Sequence, residues 1–206
     1  NEFFDALPIR QFQRDVEGWR EVVVGLDTDG TLKRGLSQPA PIAALDPRLE
    51  STEIGALVET NPHATAVMSG IAHRIAQLGG VALIIDYGGW RSLGDTFQAV
   101  QAHAPVDPFA TPGRADLTAH VDFETLAIAA WGSGLATSRR TPQGVFLERL
   151  GITARAQAIA RSLAGETLDA HIAAHRRLTH PDEMGNLFKV LGLTRPGAPM
   201  LPGLGP

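Results

Sequence analysis

Residues 81–89 read Val81-Ala82-Leu83-Ile84-Ile85-Asp86-Tyr87-Gly88-Gly89. A short apolar run that stops on an acid and then on glycines is the pattern of a buried strand in a parallel sheet. Just before it, Val67, Ile71, Ile75 and Leu78 recur at helical spacing, and Gly79-Gly80 supplies a C-cap. Helix, glycines and buried strand predict an α/β sheet, and such sheets bind ligands at the carboxyl ends of their strands. Asp86 and Tyr87 fall at that edge, with Gly88-Gly89 as a cleft wall. The glycines do not give the Gly-x-Gly-x-x-Gly spacing of a nucleotide loop.

Toward the N-terminus, residues 21–26 and 31–33 read as two β-segments around Asp29-Gly30, a pair suited to the positive-φ positions of a tight hairpin turn. A Pro-containing loop follows over 38–47. Toward the C-terminus, residues 90–120 are rich in Pro, Gly and Asp and predict an excursion from the sheet. Helices are then expected from Asp122, as N-cap, to Gly132; from Thr141-Pro142, as cap and first turn, to Gly151; and between Thr153 and Gly165. A fourth helical stretch spans 168–178, a late strand spans 187–191, and the Pro/Gly-rich tail from Pro196 is irregular.

Bulk properties exclude some functions. With 44% hydrophobic and 19% charged residues, the 206-residue chain has the apolar content of one substantial core. A net charge of −4 gives no global basic field to hold a phosphate backbone, so nucleic acid is not an expected partner. No cysteine is present, which rules out disulfides and thiolate metal sites. No apolar run approaches the roughly 20 residues needed to span a bilayer. The chain begins on Asn1 and an apolar cluster, and on that ground it is expected to be a cut piece.

Val22-Val23-Val24-Gly25-Leu26-Asp27-Thr28-Asp29-Gly30-Thr31 looks like the first motif of haloacid-dehalogenase-type phosphatases, in which Asp27 would attack phosphorus, Asp29 would act as acid/base, and Mg²⁺ would offset phosphate charge. The competing reading is a hairpin turn, and it is favoured because Lys33 and Lys189, the only lysines, lack the acidic pair that chemistry needs. His171 and His175 lie at i, i+4, but without an intervening Glu they read as an exposed helical face, not a metal site. Alternation in 113–123 would put Asp116, Thr118 and His120 on one face of an extended segment, as a site or as a strand entering a capped helix.

Several segments, taken in order, resemble the MidA family: Asn1-Glu2-Phe3-Phe4-Asp5-Ala6-Leu7-Pro8-Ile9; Leu83-Ile84-Ile85-Asp86-Tyr87-Gly88; Gly94-Asp95-Thr96-Phe97-Gln98-Ala99-Val100; Pro112-Gly113; Asp116-Leu117-Thr118-Ala119-His120-Val121-Asp122-Phe123; Met184-Gly185; and Phe188-Lys189-Val190-Leu191. That family includes a mitochondrial arginine methyltransferase needed for assembly of respiratory complex I, and bacterial relatives. The resemblance implies a Rossmann-like class I methyltransferase sheet with a β-hairpin insertion and extra helices. The chain would be the C-terminal part of one such domain, with insertions at about 20–60 and 90–120. The glycine-rich loop and ribose-binding acid would lie upstream of it. One departure is Pro202-Gly203-Leu204, where the family often carries an aromatic.

The implied cofactor is S-adenosylmethionine and the implied substrate a protein arginine, as on a complex I subunit, with mitochondrial matrix or bacterial cytoplasm as the compartment. A guanidinium stays protonated far above neutral pH and, with its lone pair delocalised, is a poor nucleophile. Carboxylates can orient it and favour the positive charge it develops. Glu2 and Asp5, with Asn1, are the catalytic candidates; Asn1, Phe3 and Phe4 would contact cofactor; Asp86, Tyr87, Asp116 and His120 would contact substrate. The competing readings are that Glu2 and Asp5 cap a following helix and that a phenylalanine fills the core. Function stays open between the methyltransferase, a non-catalytic assembly factor of the same fold, and the phosphatase. Oligomeric state is not encoded.

Overall fold

A computed structural model describes residues 1–199 and 201–205. In chain order the elements are β1 (Arg10–Asp15), β2 (Gly18–Leu26), β3 (Leu32–Leu36), a 3₁₀ turn (Ala43–Arg48), β4 (Leu57–Thr60), α1 (Pro62–Leu78) and β5 (Ala82–Gly89). Then come β6 (Gln98–Gln101), β7 (Ala104–Val106), β8 (Asp116–Thr118), β9 (Val121–Asp122), α2 (Phe123–Gly132), β10 (Ala136–Thr137) and β11 (Thr141–Pro142). The chain continues with α3 (Gln143–Arg149), α4 (Ile152–Ala160), α5 (Gly165–Thr179), α6 (Met184–Leu187) and β12 (Phe188–Thr194). Two compact units result: Asn1–Phe3 with Thr65–Trp90 and Phe123–Pro206, and Phe4–Ala64 with Arg91–Asp122.

The first unit is built on β5 and β12, which pair antiparallel from Tyr87↔Phe188 to Ala82↔Leu193. The far edge of β12 takes β10 and β11, also antiparallel. The α/β class holds, and the neighbour of β5 on the β12 side runs antiparallel. An apolar run reports burial, not the direction of the neighbouring strand, and the chain reaches β12 only after five helices. Val190, Leu191 and Leu193 are fully buried, and Phe146, Val190 and Leu204 form a cluster against Ile85, Leu147 and Leu201. Each such side chain contributes about 1.5–3 kcal/mol by burial.

The end of α1 follows the sequence closely. Gly79, at φ +81°, donates its N–H to Ile75 O, as a left-handed C-terminal residue does. The Arg195 guanidinium then donates to the carbonyls of Ile75, Ala76 and Gln77 at 3.2, 2.9 and 3.0 Å. It satisfies acceptors the helix cannot pair and places a cation at the negative end of the dipole.

Other local readings are corrected. Thr141 does not cap α3: Pro142 precedes that helix without a side-chain cap, and Thr141 pairs instead with Val190 in the sheet. Gly165 opens α5 where a stop to the preceding helix was expected, and α4 ends at Ala160. Gly88 and Gly89 lie within β5, not in a loop after it. His171 and His175 are half-buried against α4, His171 Nε2 lying 3.0 Å from Ala156 O and His175 Nε2 3.0 Å from Thr153 Oγ1, so the exposed-face reading is replaced by helix packing.

In the second unit the strand order is β3-β2-β1-β4, all antiparallel, and a separate sheet runs β7-β6-β8. Register divides the four-stranded sheet into two faces. Phe12 and Val58 are cross-strand partners on one face and pack with Trp19 and Leu45 in a buried cluster. Gln11 opposite Glu59, Val22 opposite Leu36 and Val24 opposite Arg34 lie on the other. The hairpin between β2 and β3 is as expected, closed by Leu26↔Leu32, although only Gly30, at φ +83°, takes a positive φ in its turn. The segment after Asp5 is the strand β1, so no helix stands there for Glu2 and Asp5 to cap.

Candidate functional site

In the first unit the residues at the N-terminal end of the chain are fastened to the middle of β5, at Ile85 and Asp86. Glu2 N–H donates to Ile85 O at 3.0 Å, and Phe3 N–H donates to the Asp86 carboxylate at 3.2 Å. The same carboxylate accepts from Tyr87 N–H at 2.9 Å. Asp86 is fully buried, and its carboxyl group accepts from these backbone amides, which orients the segment. Glu2 takes φ +47°, a left-handed conformation uncommon for a side-chain-bearing residue. Its carboxylate is exposed and accepts from Asn1 Nδ2 at 3.0 Å.

Phe3 is 50% exposed, whereas Phe4 is buried in the second unit, which separates the two phenylalanines into a surface ring and a core ring. Tyr87 meets Phe188 edge-on across the strand pair, centroids 5.4 Å apart. Past β5, Trp90 is held by Glu124, whose N–H donates to Trp90 O and whose carboxylate accepts from Trp90 Nε1. Asn1, Glu2, Phe3, Asp86 and Tyr87 are therefore brought together, and Glu2 is the one exposed acid among Glu2, Asp5 and Asp86.

Phe4, Asp5, Asp116 and His120 belong to the second unit. Asp5 is buried; its carbonyl accepts from Ala119 N–H at 3.0 Å, and it lines a cleft of about 270 Å³ with Leu117, Thr118 and Ala119. Asp116 and Thr118 do occupy a strand, opposite Val100 and Gln98, and Asp116 is exposed. His120, also exposed, donates its backbone N–H to Thr96 Oγ1. Asp122 precedes α2 and accepts from Ser92 N–H.

A polar network in this unit had no single signature in the sequence. Glu59, almost wholly buried, accepts from Gln11 Nε2 at 2.9 Å, from Thr96 N–H at 2.9 Å and from the Thr96 hydroxyl. Gln11 also donates to Asp95 at 2.7 Å, and Asp95 pairs with Arg34. An acid inside the apolar Leu57-Val58 strand and the Gly94-Asp95-Thr96 turn were its only local hints. Burial raises the Asp95 pKa, but bonds from Arg34 and Gln11, the Arg34 charge and Phe97 N–H outweigh it and hold the carboxyl below its ordinary value.

A lowered folded-state pKa contributes stability that is present above the ordinary aspartate value of about 3.9 and is lost as pH falls through the folded value. Arg34→Ala is therefore expected to move the Asp95 midpoint upward in a carboxyl NMR titration; an unmoved midpoint would contradict the pairing.

The phosphatase motif resolves into turn chemistry. Asp27 accepts from Thr28 N–H and from Lys33, Asp29 from the Thr31 N–H and hydroxyl, all on an exposed hairpin. These bonds lower both carboxyl pKa values. Among the described residues no group of three His, Asp or Glu side chains is placed to hold a metal ion, and no helix is long and apolar enough to cross a membrane.

Comparison with known proteins identifies the family. Residues 1–141 match a family model described as an S-adenosyl-L-methionine-dependent methyltransferase. The zebrafish (Danio rerio) protein named protein arginine methyltransferase NDUFAF7, mitochondrial, is 37% identical over 190 residues, which cover 92% of this chain and 45% of that protein. The human protein of the same name is 32% identical over 194 residues, covering 94% and 44%. The chain thus spans about half the length of the curated relatives it matches. A Burkholderia thailandensis crystal structure bound to S-adenosyl-homocysteine superposes with a TM-score of 0.82 at 29% identity, over 98% of this chain and 54% of that one. A native crystal structure from the same organism gives 0.85 at 31% identity, over 98% and 56%. The chain belongs to the MidA family of S-adenosyl-L-methionine-dependent methyltransferases.

Proposed function

We propose that the protein transfers a methyl group from S-adenosylmethionine to an arginine side chain of another protein, and that Asn1, Glu2 and Phe3 form the reacting edge. The observation that carries this reading is the corner itself: a segment tied to the middle of β5 by backbone amides that donate to the Ile85 carbonyl and the Asp86 carboxylate, with Glu2 turned into a left-handed conformation and its carboxylate exposed. The names of the curated relatives and the S-adenosyl-homocysteine in a structural neighbour support it.

The residues present fit one side of such a cofactor. Phe3 offers an exposed aromatic face, and Asn1 and Glu2 offer an amide and a carboxylate beside it. The cofactor, when bound, supplies a methyl group on a sulfonium centre, open to in-line displacement. The chain's part is alignment and charge. Glu2 accepts hydrogen bonds from the guanidinium, fixes its plane and favours the cation that methylation leaves on it. Asn1 holds the Glu2 carboxylate in place. Asp86 acts as a positioning residue, ordering the backbone of Phe3 from beneath. Asp5, Asp116 and His120, in the second unit, are assigned no step.

The relatives' names extend the proposal to a mitochondrial setting and a respiratory complex I subunit as substrate for an organellar form, and to the cytoplasm for a bacterial one. Incubation with tritiated S-adenosylmethionine and candidate subunits is expected to place label on ω-nitrogens of arginine after acid hydrolysis, with about 100-fold less in Glu2→Gln. Label on lysine, or binding of the subunit with no label at all, would overturn it; the second result would favour a non-catalytic assembly factor.

A further inference from the structure

The second unit contains a guanidinium already held in a cage. The Arg34 Cζ lies 5.7 Å from the Phe97 ring centroid and 5.6 Å from that of Phe109, and Nη1 pairs with Asp95 at 2.5 Å. Two aromatic faces and a carboxylate are a selective combination for a planar, delocalised cation. The carboxylate is prearranged, because Gln11 and Phe97 N–H hold it from other directions. The neighbouring Lys33 takes no part; it pairs with Asp27 in the turn.

Arg34 lines only part of the space available. The cage opens on a cleft of about 370 Å³ whose walls include Val22, Val24, Leu32, Pro108 and Leu117. That volume lies within the range of roughly 300–1,000 Å³ found for ligand pockets. Arg34 itself stands on β3, the edge strand of its sheet, with its side chain about one-third exposed. The unit around the cleft is acidic: fourteen Asp and Glu residues against eight Lys and Arg, a net charge of −6. An occupant of opposite charge is therefore favoured in approach as well as in contact.

We propose that Phe97, Phe109 and Asp95 form a recognition subsite for an arginine on a basic, extended segment of the protein substrate, and that Arg34 fills this subsite in cis as an exchangeable plug. The identity of the natural ligand rests on the arginine-methyltransferase reading, but the subsite is tested without cofactor or turnover, so either can fail alone. A tethered Arg34 competes at high effective concentration, so wild-type protein binds a free arginine peptide weakly.

The probe is the tripeptide amide acetyl-Gly-Arg-Gly, titrated calorimetrically into the full chain, with acetyl-Gly-Lys-Gly amide as control. Arg34→Ala is expected to bind the arginine peptide at least tenfold more tightly than wild type, with no comparable gain for the lysine peptide. Adding Phe109→Leu to Arg34→Ala is expected to abolish the gain. A folded Arg34→Ala protein, judged by circular dichroism and melting, that shows no gain or an equal gain for lysine would overturn the proposal. Should Arg34→Ala lose the fold, Arg34→Gln takes its place; loss of the fold in both would overturn it too, because Arg34 would then be a structural member and not a plug.

Discussion

Gly185→Ala is expected to destabilise the first unit by about 3 kcal/mol or more, the upper end of what overpacking costs. A Cβ built at Gly185 falls 2.1 Å from Thr179 O, 2.5 Å from Thr179 C and 2.7 Å from His180 O. These are backbone atoms, so no rotamer change relieves the overlap. From another direction, a Cβ on Gly144 would come within 2.4 Å of the same Thr179 carbonyl. The C-terminal end of α5 is thus wedged between two glycines, one on α3 and one on α6, and neither helix can retreat without disturbing its neighbour on β12. Gly70 provides the control. It stands in α1 with nothing within 4 Å of a built Cβ, so Gly70→Ala is expected to stabilise by about 0.5–1 kcal/mol. Urea unfolding of the two variants separates a steric role from a general intolerance of alanine; equal shifts in the two would refute the wedge.

Asp86→Ala is expected to cost about 3 kcal/mol and to loosen the corner that Glu2 occupies. The buried carboxylate accepts from Phe3 and Tyr87 amides, and bonds to a charged group are worth about 1.5–3 kcal/mol each, part of which is recovered if water enters. The Glu2 N–H to Ile85 O bond would remain between the Asn1–Phe3 segment and β5. Hydrogen exchange at the Phe3 amide should accelerate in Asp86→Ala and less so in Asp86→Asn, which keeps one acceptor oxygen. Unchanged exchange at Phe3 in Asp86→Ala would show that the carboxylate does not order the segment.

What the sequence makes legible, and what it hides, follows from the range of the forces involved. The helix ending at Leu78, its glycine cap and the strand beginning at Ala82 are coded by neighbours a few residues apart, and they appear where periodicity and conformational preference put them. The antiparallel partner of β5 is not so coded. Phe188–Thr194 lies about a hundred residues on, and the apolarity of either strand is the same whichever way its neighbour runs. β1 escapes notice because Arg10–Asp15 holds one apolar side chain, Phe12, among polar ones, and its strand character comes from pairing with β2 and β4. Thr141-Pro142 has the composition of a helix start, but the backbone of Thr141 is claimed by Val190.

The candidate site divides along the same line. Glu2, Phe3, Asp86 and Tyr87 were nominated through a resemblance running along the whole chain, and the fold brings them together. Asp86 proves to be a buried anchor, a role that its position after an apolar run does not distinguish from a ligand-facing acid. The network of Glu59, Gln11, Asp95 and Arg34 is not legible as a unit for a different reason: its bonds cross as many as 84 positions, and the acid in the β4 strand and the Gly94-Asp95-Thr96 turn do not name their partners.

The most direct test of the corner's role is the steady-state kinetics of methyl transfer in Glu2→Gln, with S-adenosylmethionine varied at saturating protein substrate. If Glu2 orients the guanidinium, kcat falls about 100-fold while KM for S-adenosylmethionine stays within about threefold of wild type. A wild-type kcat, or a large rise in that KM with kcat intact, would show that Glu2 does not act on the arginine.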